Sequence, residues 1–152
     1  MRISAKVDYA VRAMCELAAH TGDAPLKAEQ IASAQDIPLS FLENILVDLR
    51  RAGFVRSLRG QVGGYRMAKP ASEVTIADVI RAVEGPLADV RGMRPESLTF
   101  TGSAASLRDV WLATRVGLRR VLERVSIADV VAGEIPPDVA ELLMDPEALI
   151  PH

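Results

Sequence analysis

The feature that most constrains the fold is a pair of short strand-like segments around a glycine-rich turn. Residues 54–58 and 65–68 carry aromatic and β-branched side chains, and residues 59–64 between them include three glycines. Two such segments around a short glycine-containing loop predict a β-hairpin. Helical periodicity ends at Gly53, so the hairpin directly follows a helix. The sequence therefore predicts a mainly helical chain with a small β-element.

Three helices are predicted before this hairpin. The first starts at Ser4, which can cap it, and the second is short, at about residues 28–34. A tight turn leads to the third, which is expected to start near Ser40 as N-cap, with Glu43 completing a capping box. A helix, a short helix, a tight turn, a helix and a hairpin are, in that order, the elements of a winged helix-turn-helix.

The second half of the chain is predicted to contain a linking helix and a long helix. The linking helix starts at Thr75, with Asp78 as capping partner, and ends at Gly85. Residues 86–105 lack a clean period and are expected to form a loop. The long helix is predicted over residues 104–125, a length of about 30 Å.

The long helix carries apolar residues on two sides. A helix that lies on a single core needs only one apolar stripe, so the second indicates contact with a partner chain. Leu112 and Val116 lie opposite the main stripe. The main stripe, which we expect to take part in dimerisation, consists of Leu107, Val110, Trp111, Thr114, Leu118, Val121, Leu122 and Val125.

The predicted architecture is a winged helix-turn-helix plus a long C-terminal dimerisation helix. We expect a DNA-binding domain at residues 1–70 and a linking helix and loop at residues 71–103, where a sensor could lie. The dimerisation helix and a short cap helix are expected at residues 104–135, and a Pro-rich acidic tail at residues 136–152.

The net charge of −2 conceals a division between the two parts of the chain. Residues 1–70 carry ten Lys and Arg against seven Asp and Glu, whereas residues 71–152 carry eight against thirteen. Six basic residues and no acidic residue lie within residues 50–70. A local basic cluster is typical of a nucleic-acid interface, although an ordinary solvated surface would have the same composition.

The composition also indicates the compartment. No apolar run approaches the ~20 residues of a membrane span, and residues 1–12 lack the apolar core of a signal peptide. The single cysteine, Cys15, excludes an intrachain disulfide. We therefore expect a cytoplasmic protein that does not enter a membrane.

The start of the third helix holds the candidates for reading DNA bases, because that end of a recognition helix enters the major groove. Asn pairs with adenine, and Glu accepts a hydrogen bond from the cytosine amine. The candidates are Ser40, Phe41, Glu43 and Asn44. Two have structural alternatives, since Glu43 can serve the capping box and Phe41 can fill a gap between helices.

The glycine-rich loop supplies a second set of candidate contacts. Arg59 can enter a narrow minor groove, and Gly60 and Gln61 beside it belong to the same wing. A plain hairpin turn needs only one or two glycines, so three favour a wing that approaches DNA closely. Lys6 and Arg2, near the start of the first helix, are candidates for phosphate contacts, although lone basic residues there are often simply solvated. Arg51, on or near the outer face of the third helix, is a further candidate DNA contact.

Five segments resemble the motifs of one bacterial family in order and spacing. They are similar to S-x-K-x-x-Y-A-x-x-A-M/L, I-x-x-x-[YF]-L-E, L-[RK]-[RK]-A-G-[LF]-V and R-G-x-x-G-G-Y, followed by the family's next helix. The segments are residues 4–14, 37–43, 49–55, 59–65 and 75–85. The family is that of the IscR/NsrR/CymR-type transcriptional regulators. The resemblance is close over residues 1–86, whereas the long helix is similar only in its position in the chain.

The resemblance implies a homodimer that binds a palindromic operator on double-stranded DNA, usually as a repressor. Dimerisation would come from the long helix of each chain. The wing departs from many relatives, which have Pro-Gly where this chain has Gln61 and Val62. Carried over by position, the DNA contacts are Lys6, Ser40, Phe41, Glu43, Asn44, Arg59, Gly60 and Gln61.

The largest departure concerns the signal that such proteins sense. Many relatives hold an iron–sulfur cluster through three cysteines before the long helix, whereas residues 86–105 contain none. Cys15 is expected to be a structural core residue, and His20 and His152 have no metal-ligand spacing. We therefore expect no cluster, metal or other cofactor, and the effector could be a small molecule or a protein.

Two other classes of function are considered. The alternative is a winged helix that docks a partner protein without reading DNA, and the basic stretch argues against it. An enzyme is not expected, because the sequence holds no nucleophile–base pair and no metal constellation. The loop at residues 59–64 is not a Walker loop either, since the following Gly-Lys-Ser/Thr is missing.

Overall fold

The computed structural model describes residues 2–151 and confirms a mainly helical chain with a small antiparallel hairpin. His152, one of the two histidines considered above, lies outside the described residues. The main elements are α1 (Ala5–Ala19), α2 (Ala28–Gln35), α3 (Leu39–Arg51), β1 (Val55–Leu58), β2 (Gly64–Met67), α4 (Ile76–Glu84), α5 (Leu107–Leu122), α6 (Ile127–Ala132) and α7 (Pro137–Ala140).

Two of the predicted helix starts are confirmed by their caps. The Ser4 hydroxyl accepts a hydrogen bond from the Val7 amide at 3.2 Å, which fixes the start of α1. At α4, the Thr75 hydroxyl accepts from the Asp78 amide, and the Asp78 carboxylate accepts from the Thr75 amide at 3.0 Å. Each such cap satisfies backbone donors that a helix end otherwise leaves without partners.

Helix α3 begins near Ser40 as expected, but its predicted N-cap is wrong. Pro38, not Ser40, is the N-cap, and no side chain caps the helix. The carbonyl of Pro38 accepts hydrogen bonds from the amides of Phe41 and Leu42, both at 3.0 Å, so helical geometry begins at Leu39. The capping box predicted for Ser40 and Glu43 therefore does not form, and both side chains lie on the exposed surface of the helix.

One apolar core joins α1, α2, α3 and α4. The inner face of α3 is fully buried in it, and α4 buries Val79, Ile80 and Val83 in the same core. Val55 of β1 and Ile127 of α6 close it from two sides. The linking helix α4 therefore packs against α1 and α3 as part of the same core.

The long helix is shorter than predicted. It has 16 residues, a length of about 24 Å, and ends at Leu122. Val125 belongs to a short backbone bridge instead, because its carbonyl accepts a hydrogen bond from Ile76 at 3.0 Å, and its side chain is buried within its own chain. Val125 is therefore not a dimerisation residue on this helix.

The hairpin is fastened to the loop before α2. Tyr65 of β2 and Leu26 exchange two backbone hydrogen bonds, at 2.7 and 3.1 Å. The approach is so close that a Cβ atom at Gly64, whose φ is +153°, would lie 2.4 Å from the Leu26 carbonyl oxygen. Gly60 also has a positive φ, +107°, but a Cβ there would meet nothing within 4 Å.

We predict that Gly64→Ala destabilises the protein much more than Gly60→Ala. The second change adds backbone strain alone, about 1–2 kcal/mol, whereas the first also forces two backbones apart, for about 3 kcal/mol or more. Urea unfolding of both variants measures the difference. Equal losses would contradict the close approach of the hairpin to Leu26.

Candidate nucleic-acid interface

Helix α3 has one buried face and one exposed polar face. Its inner residues, Leu42, Ile45, Leu46 and Leu49, are completely buried. The outer face of its first turns exposes Ser40, Phe41, Glu43 and Asn44, the four residues predicted to read bases. The amphipathic sequence of α3 therefore presents these side chains outward from a rigid base.

The two polar residues in the middle of this face differ in their engagement. The Asn44 side-chain amide donates to the Ser40 carbonyl at 3.0 Å, one turn back. Glu43 is exposed and takes no part in capping, so the structural alternative considered for it does not apply. Its carboxylate faces solvent and can accept hydrogen bonds from a ligand.

Phe41 has a packing role in addition to its exposure. Its ring lies edge-on to the ring of Tyr9 on α1, with the centroids 5.8 Å apart and the planes at 84°. The guanidinium of Arg12 lies over the Tyr9 ring from another direction. Phe41 thus joins α3 to α1, as its structural alternative expected, and still exposes 46% of its surface.

Lys6, predicted to contact a phosphate, is engaged within the protein. Its ammonium group forms an ion pair with Asp48 of α3 at 2.8 Å and donates to the carbonyl of Val83 in α4 at 2.8 Å. An ammonium group at the C-terminal end of a helix, here α4, compensates its free carbonyls and the negative pole of its dipole. The side chain therefore links α1, α3 and α4.

The wing extends from the hairpin into solvent. Arg59, Gly60, Gln61 and Val62 are all exposed. Gly63 has a structural reason to be glycine, as does Gly64, because a Cβ there would lie 2.4 Å from the Leu58 carbonyl oxygen. Two of the three glycines in the loop are therefore explained by the fold of the hairpin rather than by contact with DNA.

The hairpin pairs two arginines that the sequence analysis counted only as part of the basic stretch. Arg56 of β1 and Arg66 of β2 are cross-strand partners in the antiparallel register. Directly opposite residues of such a pair lie on the same face, and like charges there repel each other. In the sequence, the signal for this pair is the register of the predicted hairpin, which places residues 56 and 66 opposite each other. It is a favourable place for a phosphate group.

The basic end of α3 completes the positive surface. Arg50 donates to the Ser57 hydroxyl of β1 at 3.3 Å, which holds the helix end against the hairpin. Arg51 makes a long contact of 3.9 Å with Asp48, and 77% of its side chain is exposed. Arg51 is therefore accessible to a ligand.

Helix α5 is only partly covered by its own chain. None of its residues is fully buried, and the apolar residues Val110 and Val116 expose 52% and 44% of their surfaces. Trp111, Thr114 and Leu118 line a pocket with the loop that follows α4, and Leu122 packs against the core. The predicted dimerisation stripe is therefore divided, because part of it faces its own chain.

The opposite face of α5 is open. Ala113, Val116 and Gly117 are exposed there, beside Val110. Small residues let two helices approach closely, and the exposed valines would be desolvated by such a contact. Beyond α7, the chain also exposes Leu142, Leu143 and Met144.

The described residues contain no group of three or more His, Cys, Asp or Glu side chains placed to hold a metal ion. Cys15 is half-buried on α1, where burial and then the neighbouring Glu16 raise the pKa of its thiol. A thiol held in its protonated form is a poor metal ligand and nucleophile. Among residues 2–151, no helix combines the length and the apolar character needed to cross a bilayer.

Comparison with known proteins places this geometry in a family. Residues 3–133 match the family described as "Rrf2: Iron-dependent Transcriptional regulator". The Mycobacterium tuberculosis protein Rv1287 is 47% identical over 145 residues, which cover 95% of this chain and 90% of that protein. The transcriptional regulator CymR of Bacillus subtilis is 31% identical over 132 residues, covering 87% of this chain and 91% of CymR.

Solved structures agree with the sequence relatives. The structure of CymR, "the Global Cysteine Regulator of B. subtilis", has a TM-score of 0.74 at 29% identity and covers 88% of this chain and 98% of that chain. The structure of IscR from T. potens has a TM-score of 0.71 at 32% identity and covers 88% of both chains. The winged-helix architecture is therefore shared with regulators of known structure.

The iron in the family description does not fit the residues of this chain. A cluster needs several thiolate or imidazole ligands, whereas this chain has a single cysteine, on α1, and none in residues 86–105. The family assignment depends instead on the match over residues 3–133 and on the regulators that share its sequence and fold. The chain belongs to the Rrf2 family of transcriptional regulators.

Proposed function

We propose that this protein is a sequence-specific DNA-binding repressor that acts in the cytoplasm as a homodimer on a palindromic operator. The observation that carries the proposal is the outer face of α3. It exposes Ser40, Glu43 and Asn44 beside a basic hairpin, while its inner face is fully buried. A helix with this division can enter a major groove without disturbing its own core.

Base reading is assigned to the exposed residues of the first turns of α3. Asn44 can release its contact with the Ser40 carbonyl and pair with an adenine edge, and Glu43 can accept from a cytosine amine. Phe41 touches Tyr9 on one side and can contact a thymine methyl on the other.

Backbone binding is assigned to the hairpin and the end of α3. Arg59 at the wing is placed to enter the minor groove beside the helix, with Gly60 and Gln61 following the backbone. Phosphate contacts are assigned to Arg51, which is exposed, and to the cross-strand pair Arg56–Arg66. Lys6 is assigned a positioning role, because Asp48 and Val83 already hold it.

Dimerisation is assigned to the open face of α5. A helix that buries none of its residues in its own chain gains stability by packing against a second copy, where exposed apolar surface is removed from water. A two-fold axis through two such helices would place two winged units symmetrically, which a palindromic operator requires. Pairing of the two α5 helices would therefore give the protein the same two-fold symmetry as its operator.

We predict that Arg59→Ala weakens operator binding by about tenfold to a hundredfold and lowers the salt dependence by about one ion. The side chain is exposed, so the fold and the dimer are unaffected. Fluorescence anisotropy at several salt concentrations, on an operator mapped by genomic footprinting, measures both quantities.

The matched control is Arg108→Ala, which removes the same charge at the start of α5, far along the chain from the wing. This variant is expected to bind the operator like the wild type. If Arg59→Ala binds as tightly as Arg108→Ala, with the same salt slope, the wing does not contact DNA.

We predict that Val110→Glu converts the dimer into monomers, because it places a charge in the apolar contact between the two α5 helices. Val131→Glu is the matched control, since Val131 is exposed on α6 and not on α5. Light scattering gives the mass of each variant. We expect the dimer dissociation constant to rise at least about tenfold for Val110→Glu alone. A monomeric wild type, or equal masses for both variants, would contradict the dimer assignment.

A further inference from the structure

A pocket between α4, α5 and the loop that connects them is lined by four arginines. Its volume is about 500 Å³, in the range of small-molecule sites. Arg81 comes from α4, Arg94 from the loop, and Arg115 and Arg119 from α5. Glu96 is the one acidic residue in the lining, so we call this site the arginine pocket.

The arginines outnumber the carboxylates that neutralise them. Glu123 is shared, because both Arg81 and Arg119 bond to it, Arg119 at 3.0 Å. Arg115 pairs with Glu96, and Arg81 has a longer contact of 3.6 Å with Asp78. Arg94 forms no ion pair among residues 2–151.

The neighbouring carboxylates are ionised at neutral pH. The pKa of Glu123 lies below its usual value because Arg119 and then Arg81 bond to it. The pKa of Glu96 is also lowered, first by its own backbone amide and then by Arg115 and Arg94. Even with Asp78 included, the three carboxylates do not balance the four guanidinium groups.

Two buried donors near the pocket have no acceptor within the described protein. They are the Nε atom of Arg115 and the indole Nε1 of Trp111. Trp111 lines the adjoining pocket, which shares residues 86–88 with the arginine pocket. Buried donors without acceptors are costly, and both belong to side chains that line the two adjoining pockets.

We propose that the arginine pocket binds a small polyanion with carboxylate or phosphate groups, and that this ligand is an effector of the protein. Guanidinium groups bind both kinds of group in a bidentate manner, and Pro86 and Leu87 provide apolar lining. The negative charge of the ligand would draw Arg81 and Arg119 away from Glu123. The ligand would then bridge α4 and α5 in place of their direct ion pairs.

The position of the pocket connects it to the DNA-reading unit. Helix α4 is part of the same core as α3, and the carbonyl of Val83 near the end of α4 is bound by Lys6, which also holds Asp48 of α3. A ligand between α4 and α5 would therefore alter the angle between the dimer helix and the reading helices. This regulatory step rests on the proposed function, whereas binding of the anion does not.

The test measures binding of inorganic phosphate, succinate and citrate to the full-length protein without DNA, by calorimetry at constant ionic strength. We expect saturable binding of at least one probe, and a loss of at least about tenfold in affinity for Arg94→Gln and Arg115→Gln. Arg94 makes no ion pair among the described residues, so its variant should fold even if Arg115→Gln does not.

Two controls locate the site. Arg120→Gln removes a charge from α5 outside this pocket, and Arg59→Ala removes one from the DNA-facing wing. Both should retain the wild-type affinity for the anion. The proposal is overturned if no probe binds saturably, if Arg94→Gln binds like the wild type, or if either control loses as much affinity as Arg94→Gln.

Operator binding with and without the bound probe then tests the regulatory step. We expect a change of at least about fivefold in DNA affinity for the wild type and none for Arg94→Gln. Anion binding with no effect on DNA would overturn the effector role. A protein that binds the anion but no DNA would contradict the proposed function and leave the anion site standing.

Discussion

The structure depends on the burial of the inner face of α3. Leu42, Ile45, Leu46 and Leu49 are completely removed from water by α1, α2 and α4. Each such side chain contributes roughly 1.5–3 kcal/mol. This packing fixes the rotation of the helix, and the rotation determines that Ser40, Glu43 and Asn44 face outward. Without it, the polar residues would have no defined direction and could not be presented to a groove.

The same packing makes α4 more than a linker. Lys6 connects α1 to Asp48 of α3 and to the end of α4, so it links the three helices of the core. Helix α5 is attached differently, through Leu122, through the Arg81–Glu123 ion pair just after its end, and through the loop after α4. The boundary between a tightly packed unit and a polar joint is where a ligand can act at least cost.

Local features were predictable from the sequence. The caps at Ser4 and Thr75 depend on residues three positions apart, and the period of α3 correctly placed its buried leucines. The N-cap of α3 could not be predicted from residue types. The Pro38 carbonyl, a backbone group, begins the helix, and the residue types that signal a cap mark Ser40 instead.

Contacts between distant segments could not be predicted. Gly64 is required by Leu26, which lies before α2, and Lys6 is taken by partners on two other helices. Val125 has the periodicity of the long helix, yet a backbone bridge to Ile76 pulls it into the core. Hydrophobic periodicity predicts which residues of a helix are buried, but not whether the same chain or a partner chain buries them.

We propose that the homodimer presents two copies of α3 to two symmetric half-sites. Selection of binding sites from a random pool of duplex DNA by the full-length protein tests it most directly. We expect enrichment of an inverted repeat whose half-sites lie about one helical turn, or a multiple of it, apart. A single unrepeated motif, or no enrichment over the starting pool, would contradict it.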